Sequence, residues 1–367
     1  MESKKGTQSY ESFPMNGGEG QYSYAQNSNS QRTGADITKH ISRDAIIEML
    51  DVESFVQHSS NVIRIADLGC SVGLNTFFTI QNIIDAVNLK SQSQGRHVLD
   101  SLELQVFFND HADNDFNTLL KSLPKEKQYY AAAVPGTFHG RLFPESSIHV
   151  FNSSYALHWL SRVPKDIVDK NSDAYNYGRI YFTNEDKKVA AAYSAQFAKD
   201  IESFLNSRAL ELVPGGIMTL IIPCVPPDSK NVFEVAANSM ENVLVEMANK
   251  GLISHEQVDS FNLPVYMPAS EEVKELIEKN GKFKIERSEL LYQLYDFKIQ
   301  QAVDARNGSM EMRAAFEGVL KNHFKEEGIM DEIFIQFEKK LAEATLLFPD
   351  PSYRQLGGLF VIKHALA

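Results

Sequence analysis

An aspartate, two glycines and an asparagine in the order Asp67-x-Gly69-x-x-x-Gly73-x-Asn75 form the stretch best equipped for chemistry. They follow an apolar run at 62–65 and precede a helix-like run at 76–87, which reads as strand, glycine turn and helix. Glycines let the backbone approach a ligand closely, and a helix N-terminus offers N–H groups with no partner of their own. The spacing is not the G-x-G-x-x-G of dinucleotide sites. An acid ahead of the first glycine repels phosphate and suits an ammonium or a sulfonium. The chemistry that fits is a nucleoside-type cofactor without phosphates, and S-adenosylmethionine meets that description.

Other candidate groups fall where strands would end, and in open α/β sheets ligands sit at the carboxyl ends of strands. The run 102–108 reads as a strand ending at Asn109-Asp110. The Asp110 carboxylate can accept both hydroxyl hydrogens of a ribose; its alternative use is to cap the helix that follows. After a strand at 129–134, the turn Pro135-Gly136-Thr137-Phe138-His139-Gly140 brings Phe138 to the same edge, where an adenine can stack on it. A strand at 147–152 delivers His158 and Trp159, the single tryptophan of the chain. Two adjacent ring N–H donors suit a substrate contact; the alternative is an aromatic core patch with its nitrogens satisfied. Ahead of all these, 15–31 is rich in Gly, Asn, Gln and Tyr. It reads either as a flexible loop or as an arm that closes over a small-molecule site.

Positioning these groups takes a regular frame. A helix at 37–50 leads into the first strand, and a long helix at 186–212 is stopped by Pro214-Gly215-Gly216 before a fifth strand at 217–222. Five β/α units in alternation predict a parallel, doubly wound α/β sheet. The pattern then changes to helices at 232–251, 254–259 and 270–280, a sixth strand at 283–297, helices at 310–324 and 331–346, and a last strand at 359–363. Two helical insertions thus flank the sixth strand and can pack as a cap over the sheet's carboxyl edge. The expected division is a disordered lead at 1–14, a cofactor-binding α/β domain at 15–228 with 282–300 and 355–367, and a helical substrate cap at 229–281 and 301–354.

Composition narrows the partners. The chain has 367 residues and a net charge of −12, so neither nucleic acid nor an anionic membrane is attracted to it. The two cysteines are Cys70 and Cys224, and Cys70 lies inside the glycine turn, which predicts no disulfide framework and a reducing compartment. No apolar run reaches transmembrane length, and the first fourteen residues lack a signal-peptide apolar core. A cytoplasmic enzyme is expected.

In their order along the chain these stretches resemble the plant SABATH methyltransferases, which methylate small carboxylic acids and, in one branch, purine nitrogens. The marks begin with Met15-x-Gly17-Gly18, Ser23-Tyr24-Ala25-x-Asn27-Ser28 with Gln31, and Ala66-Asp67-Leu68-Gly69-Cys70-Ser71 with Asn75. They continue with Phe108-Asn109-Asp110 ahead of Asn114-Asp115-Phe116-Asn117, and with Val134-Pro135-Gly136-Thr137-Phe138. Ser153-Ser154-Tyr155-Ala156-Leu157-His158-Trp159-Leu160-Ser161 and Ser260-Phe261-Asn262-Leu263-Pro264 complete them. Together the motifs are highly specific; none alone would be. The stretches 107–111 and 154–160 look most like the branch of loganic acid and farnesoic acid carboxyl methyltransferases.

The resemblance implies a Rossmann-like class I methyltransferase fold, with a seven-stranded sheet and a helical cap inserted around the sixth strand. It implies that Tyr24, Asp67, Gly69, Cys70 and Asn75 surround the cofactor's methionine part and loop. Asp110 matches the ribose ligand with His111 beside it, and Thr137 and Phe138 match the adenine contacts. Gln31, His158 and Trp159 match the clamp on the substrate carboxylate, Tyr155 lines the same cavity, and Met312 and Phe316 are walls of the acyl pocket. Asn176, Asp259, Phe261 through its carbonyl and Asn262 match positions where some members hold Mg²⁺, a structural ion at most. Relatives form homodimers, so a homodimer is expected. Asn16 stands where the family often has Lys, Val72 and Leu74 replace the commoner Ser and Pro, and His111 replaces a frequent Leu.

The implied reaction is an in-line displacement: a carboxylate oxygen attacks the cofactor's methyl group and S-adenosylhomocysteine leaves. A carboxylic acid with a pKa of about 4 is already ionised at neutral pH, so no general base is needed. The work left is to hold the reacting atoms at about 3 Å and to shed water from the carboxylate. Moderate neutral donors suit this, because charge on the oxygen is cancelled in the transition state. One alternative is methylation of an enol oxygen or heterocycle nitrogen; His158 stands where the xanthine branch has Gln. Another is a binding protein that holds a small acid without turnover, against which the intact Gln31, His158 and Trp159 stand.

Overall fold

The computed structural model describes residues 10–58, 61–95, 102–183, 186–225, 232–292, 301–345 and 356–365. Seven strands form one mixed sheet in the order β3-β2-β1-β4-β5-β7-β6. In chain order they are β1 (Val62–Leu68), β2 (Glu103–Asp110), β3 (Tyr130–Pro135), β4 (Ile148–Ser154), β5 (Leu212–Pro223), β6 (Phe283–Tyr292) and β7 (Leu356–His364). The first five pair in parallel. β7 runs antiparallel between β5 and β6. Parallel strands covered on both faces read as nearly unbroken apolar runs, and all of β4 but Ser154 is buried.

From β1 the chain builds β2 and β3 outward on one side, then returns to place β4 on the other. Strand order therefore reverses between β1 and β4, and a crevice opens outside their carboxyl ends. No helix lies between β3 and β4 among the described residues, so the expected β/α alternation is interrupted there.

On one face of the sheet lie α1 (Asn29–Met49), α2 (Val52–His58) and α3 (Leu74–Gln94), which bury Ile46, Ile80, Ile84 and Val87 against Ile65, Val106 and Phe108. The short α4 (Phe116–Lys121) follows β2. The other face is covered by α5 (Lys187–Glu211) and α8 (Ser270–Asn280), through Phe197, Phe204 and Ile277 against Phe151, Met218 and Phe360. A separate apolar cluster joins α6 (Val232–Asn249), α7 (His255–Ser260), α9 (Gln301–His323) and α10 (Ile329–Thr345), built from Met240, Leu244, Phe316, Leu320 and Phe337. These helices thus share a cluster of their own, whereas α8, counted with the cap in the sequence-based division, packs on the sheet face through Val273 and Ile277.

Several local expectations are revised. Helix α1 begins at Asn29, eight positions before the sequence-based start at 37. Asn29, Ser30, Thr33 and Gly34 are weak helix formers, and packing overrides that preference. Residues 10–14, expected within a disordered lead, are packed: the Glu11 N–H donates to Ser161 O (2.9 Å) and Phe13 lies against Trp159. Residues 1–9 lie outside the described residues, as do 293–297 of the expected sixth strand and parts of the expected cap at 229–231 and 346–354. Cys70 and Cys224 are both free and buried. Among the described residues no helix is long and apolar enough to cross a membrane.

Candidate active site

The glycine turn after β1 sits at the crevice, and its backbone explains its composition. Gly69 and Gly73 have φ of 79° and 121°, and a Cβ on Gly69 would collide with the Cβ of Ala156. A Cβ on Gly73 would lie 2.9 Å from the Cα of Ala25, in the 15–31 arm. Ser71 also adopts a left-handed conformation, with φ of 49°. Its N–H donates to Asp110 Oδ2 (2.7 Å), and its carbonyl accepts from Asn114 Nδ2 (3.1 Å), which hold the conformation in place. The Cys70 thiol is buried beside this turn, and burial raises its pKa well above the usual value.

Asp110 closes β2, and its other oxygen accepts the His111 N–H (2.7 Å). Burial raises the carboxyl's pKa, opposed by these backbone donors. Each oxygen keeps a lone pair, enough for the two hydroxyls of a ribose. Its alternative role as a helix cap falls to Asp115, whose carboxylate accepts from Thr118 N at the start of α4. After β3, the Gly136 N–H donates to Asp110 O (2.8 Å), and Asn109 Nδ2 donates to Val134 O and Gly136 O (2.8 Å each). These bonds bring Thr137 and Phe138 beside Asp110. Phe138 is buried, with His111 at 6.4 Å and Phe204 edge-on at 6.3 Å.

Asp67 is buried near the end of β1. Thr76 Oγ1 and Asn152 Nδ2 (2.7 Å) donate to its two oxygens, and Asn152 Oδ1 accepts from Thr219 Oγ1 (2.9 Å). Burial pushes its pKa up to about 6 in spite of these donors. Sequence reasoning missed Asn152 and Thr219; the available signal was a polar side chain inside each of two apolar strands. Asn75, expected at the cofactor, turns its amide donors to Ser28 O (3.0 Å) and Oγ (2.9 Å), and so holds the arm. The Tyr24 phenol is buried nearby, its pKa raised by burial and by Glu311 and Asp110.

Beyond β4 the chain turns at Tyr155, whose φ is 55° and whose N–H donates to Ile221 O (2.8 Å). His158 and Trp159 follow. The His158 ring is buried, its pKa is driven down to about 3 by that burial, and Nδ1 has no hydrogen-bond partner among the described residues. Gln31 Oε1, in the first turn of α1, is also buried without a partner. Gln31 is bracketed: Ser30 donates from N (3.1 Å) and Oγ (2.7 Å) to Glu311 of α9, while Gly34 packs on the Tyr155 hydroxyl. Trp159 in turn stacks on Phe316 of α9 (4.8 Å, 27°), and Met312 packs partly buried against the same cluster. The residues expected to form the clamp thus sit on α1 and on the loop after β4, both packed against α9, and the surroundings of Trp159 are aromatic.

The arm is tied at two places. Gly18 N–H donates to Asp115 Oδ2 (2.9 Å) at the start of α4, and Asn16 donates from N to Ala314 O (2.9 Å) and from Nδ2 to Glu317 (2.7 Å) on α9. Arg313 lies over the Tyr22 ring at 3.5 Å. Asn16, where the family often has a cation, is therefore a tie between arm and α9.

The four positions matched to Mg²⁺ do not fit the ion. Asn176 Nδ2 donates to Asn262 Oδ1 (2.7 Å), and the remaining Asn262 Nδ2 is an amide donor with no partner. Asp259, the single carboxylate, accepts from Gly178 N (2.9 Å). A hard cation wants several free oxygens, and here Asn262 Oδ1 is taken by the Asn176 amide and one Asp259 oxygen by the Gly178 N–H. Phe261 packs its ring against His323 and Phe324. The segment acts as a brace instead: Leu160 N–H donates to Pro264 O (2.8 Å), and Tyr266 N–H donates to His158 O (2.8 Å).

A glycine turn behind a buried aspartate, at the reversal point of this mixed seven-stranded sheet, fits an S-adenosylmethionine-dependent methyltransferase. Comparison with known proteins makes the class specific. The model of the SAM-dependent carboxyl methyltransferase family matches residues 10–355, and the chain belongs to that family. It is similar to loganic acid O-methyltransferase of Catharanthus roseus, 42% identical over 96% of this chain and 94% of that one. It is similar also to farnesoic acid carboxyl-O-methyltransferase of Arabidopsis thaliana, 42% identical over 76% of this chain and 79% of that one. A solved loganic acid methyltransferase with SAH matches with a TM-score of 0.88 at 41% identity, covering 96% of this chain and 99% of that chain.

Proposed function

We propose that the chain methylates the carboxylate of a small, mainly apolar plant acid of the iridoid or terpenoid type, with Gln31, His158 and Trp159 as its clamp. The observation that carries this reading is the buried His158 ring, its Nδ1 without a partner among the described residues, beside the Trp159–Phe316 stack. A buried polar atom without a protein partner is costly, and a hydrogen-bonding ligand relieves that cost. A carboxylate accepts from the His158 Nδ1–H tautomer and, with the Gln31 amide turned over, from its NH₂. The apolar remainder of the acid faces Phe316, Met312 and Tyr155.

Bound S-adenosylmethionine supplies an electrophilic methyl group on a sulfonium. Asp67, Gly69 and Cys70 would form the bed for its amino-acid part, Asp110 would take the ribose hydroxyls with His111 alongside, and Thr137 and Phe138 would hold the adenine. Tyr24 and the arm cover the join, and Asn75 holds the arm through Ser28. The buried neutral His158 orients one carboxylate oxygen without neutralising the other. Aromatic walls exclude water, which raises the nucleophilicity of the oxygen. The reading includes a homodimer in the cytoplasm, the latter supported by two buried free thiols.

Incubation of the purified protein with methyl-labelled S-adenosylmethionine and a panel of iridoid, sesquiterpenoid, gibberellin, benzoate, indole and jasmonate acids, with xanthines and enols, tests it. A labelled ester cleaved by mild base is the expected product. Base-stable label on nitrogen or an enol oxygen would replace the carboxylate assignment. Tight binding of S-adenosylhomocysteine with no product from any acceptor would favour a non-catalytic binder.

A further inference from the structure

The turn that carries Thr137 and Phe138 continues to Phe143 without secondary structure of its own, and the last turns of α5 hold it. Arg208 is fully buried and donates from Nη1 to Phe138 O (2.8 Å) and from Nη2 to Gly140 O (2.7 Å). Its Nε donates to Glu211 Oε2 (2.8 Å). Glu211, also fully buried, uses Oε1 to accept the N–H groups of Leu142 and Phe143 (2.5 and 3.0 Å). The carbonyl between, His139 O, accepts from Ser203 Oγ (2.8 Å) and, more weakly, Ser207 Oγ (3.4 Å). Three consecutive carbonyls and two N–H groups of one turn are thus captured by one helix. The guanidinium lies against the rings of Phe151 and Phe204, and Phe204 meets Phe138 edge-on.

A buried ion pair is a poor device for stability alone, because desolvation offsets most of the Coulomb gain. An acid at the C-terminal end of a helix also opposes the helix dipole. What this pair supplies is geometry: a planar fork sets two carbonyls at fixed spacing, which a lysine's single ammonium does not. We propose that Arg208 and Glu211 are positioning residues for the cofactor's adenine, acting through the backbone of residues 138–143. This rests on the assignment of Phe138 as an adenine contact.

The test uses calorimetric affinity for S-adenosylhomocysteine and for S-ribosylhomocysteine, which lacks the base, with steady-state kinetics and melting temperature. Arg208→Lys and Glu211→Gln are expected to weaken S-adenosylhomocysteine about tenfold, a loss of about 1.4 kcal/mol. The KM for S-adenosylmethionine should rise in step. Affinity for S-ribosylhomocysteine, kcat at saturating cofactor and the KM for the acid should stay within about twofold. A folded variant with unchanged S-adenosylhomocysteine affinity, or one that weakens both ligands equally, overturns the proposal in favour of a structural role. If Arg208→Lys and Glu211→Gln do not fold, Ser203→Ala decides: it removes the shorter of the two hydrogen bonds to His139 O in the same turn and should cost about threefold for the adenine-bearing ligand only, and no change overturns the proposal. Phe138→Ala separates the assumption from the inference. If it leaves S-adenosylhomocysteine affinity intact, the adenine assignment fails; if it weakens binding while Arg208→Lys does not, only the positioning role fails.

Discussion

The hydroxyl of Tyr155 occupies the space that a side chain at Gly34 would fill, so α1 and the loop leaving β4 meet in direct contact one turn after Gln31. Alanine in a helix interior is better than glycine by about 1 kcal/mol. Here overpacking, at about 1–3 kcal/mol, outweighs that gain. Gly34→Ala should lower the melting temperature and raise the KM for the acid. In a Tyr155→Leu background the same change should be neutral or stabilising. An equal melting-temperature loss in both backgrounds would show that the two residues are not coupled.

Cofactor binding should depend on pH through Asp67. Burial holds its carboxyl at about 6, above the ordinary 3.8. A raised acid is favoured protonated in the fold, so its stabilising contribution is full below pH 3.8 and is lost as pH rises through 6, about 3 kcal/mol by linkage. A cationic ligand needs the ionised form. S-adenosylmethionine affinity should be flat above about pH 7 and fall up to tenfold per pH unit below 6. Asp67→Asn should bind weakly at every pH with no inflection; the same inflection in that variant would remove Asp67 from the account.

His158 should act as a neutral donor. Burial drives its pKa to about 3 from an ordinary 6.5. A depressed base costs the fold as pH falls from 6.5 towards 3, where the unfolded chain takes up the proton first. His139 and His149, each held at about 4 by burial, act in the same direction. At saturating cofactor, kcat/KM for the acid should therefore show no inflection from His158 between pH 5.5 and 8. Losing a hydrogen bond to a charged group costs about 1.5–3 kcal/mol, so His158→Ala should lower kcat/KM roughly 10- to 100-fold. His158→Gln, which keeps a neutral N–H, should lose less. A rise in wild-type activity as pH falls through 6.5, absent in His158→Gln, would point to a cationic clamp.

Chelation should leave catalysis intact. The Asn176 and Asn262 amides bond to each other and Asp259 accepts a backbone N–H. Treatment with excess EDTA should change kcat by less than about twofold and leave the melting temperature unchanged. A drop in melting temperature that added Mg²⁺ reverses would mean that these side chains rearrange to bind the ion.

Much of the backbone around the expected cofactor site was legible because its signals are local. Gly69 and Gly73 announce positive φ, and Asp110 announces a strand end followed by a turn. The parallel run of β1 to β5 followed from apolar segments spaced by turns and helices. The acid half was less legible: Gln31 was read in a loop and lies on a helix, and Phe13 was read in a disordered lead and packs on Trp159.

By itself, then, the sequence determined the strand–turn–helix at Asp67, the strand-end groups Asp110 and Phe138, and the change from sheet to helical segments after 230. Each depends on backbone conformation or hydrophobic period within a few residues. Only the tertiary structure decided that β7 lies between β5 and β6, that Asn152 and Thr219 hold Asp67, and that Arg208 and Glu211 grip the turn after Phe138. It also showed the segment around Pro264 as a brace, with Pro264 O holding Leu160 and Tyr266 N–H holding His158 O. Those outcomes rest on pairings between residues tens to hundreds of positions apart, where burial and shape select the partner and no local pattern records the choice.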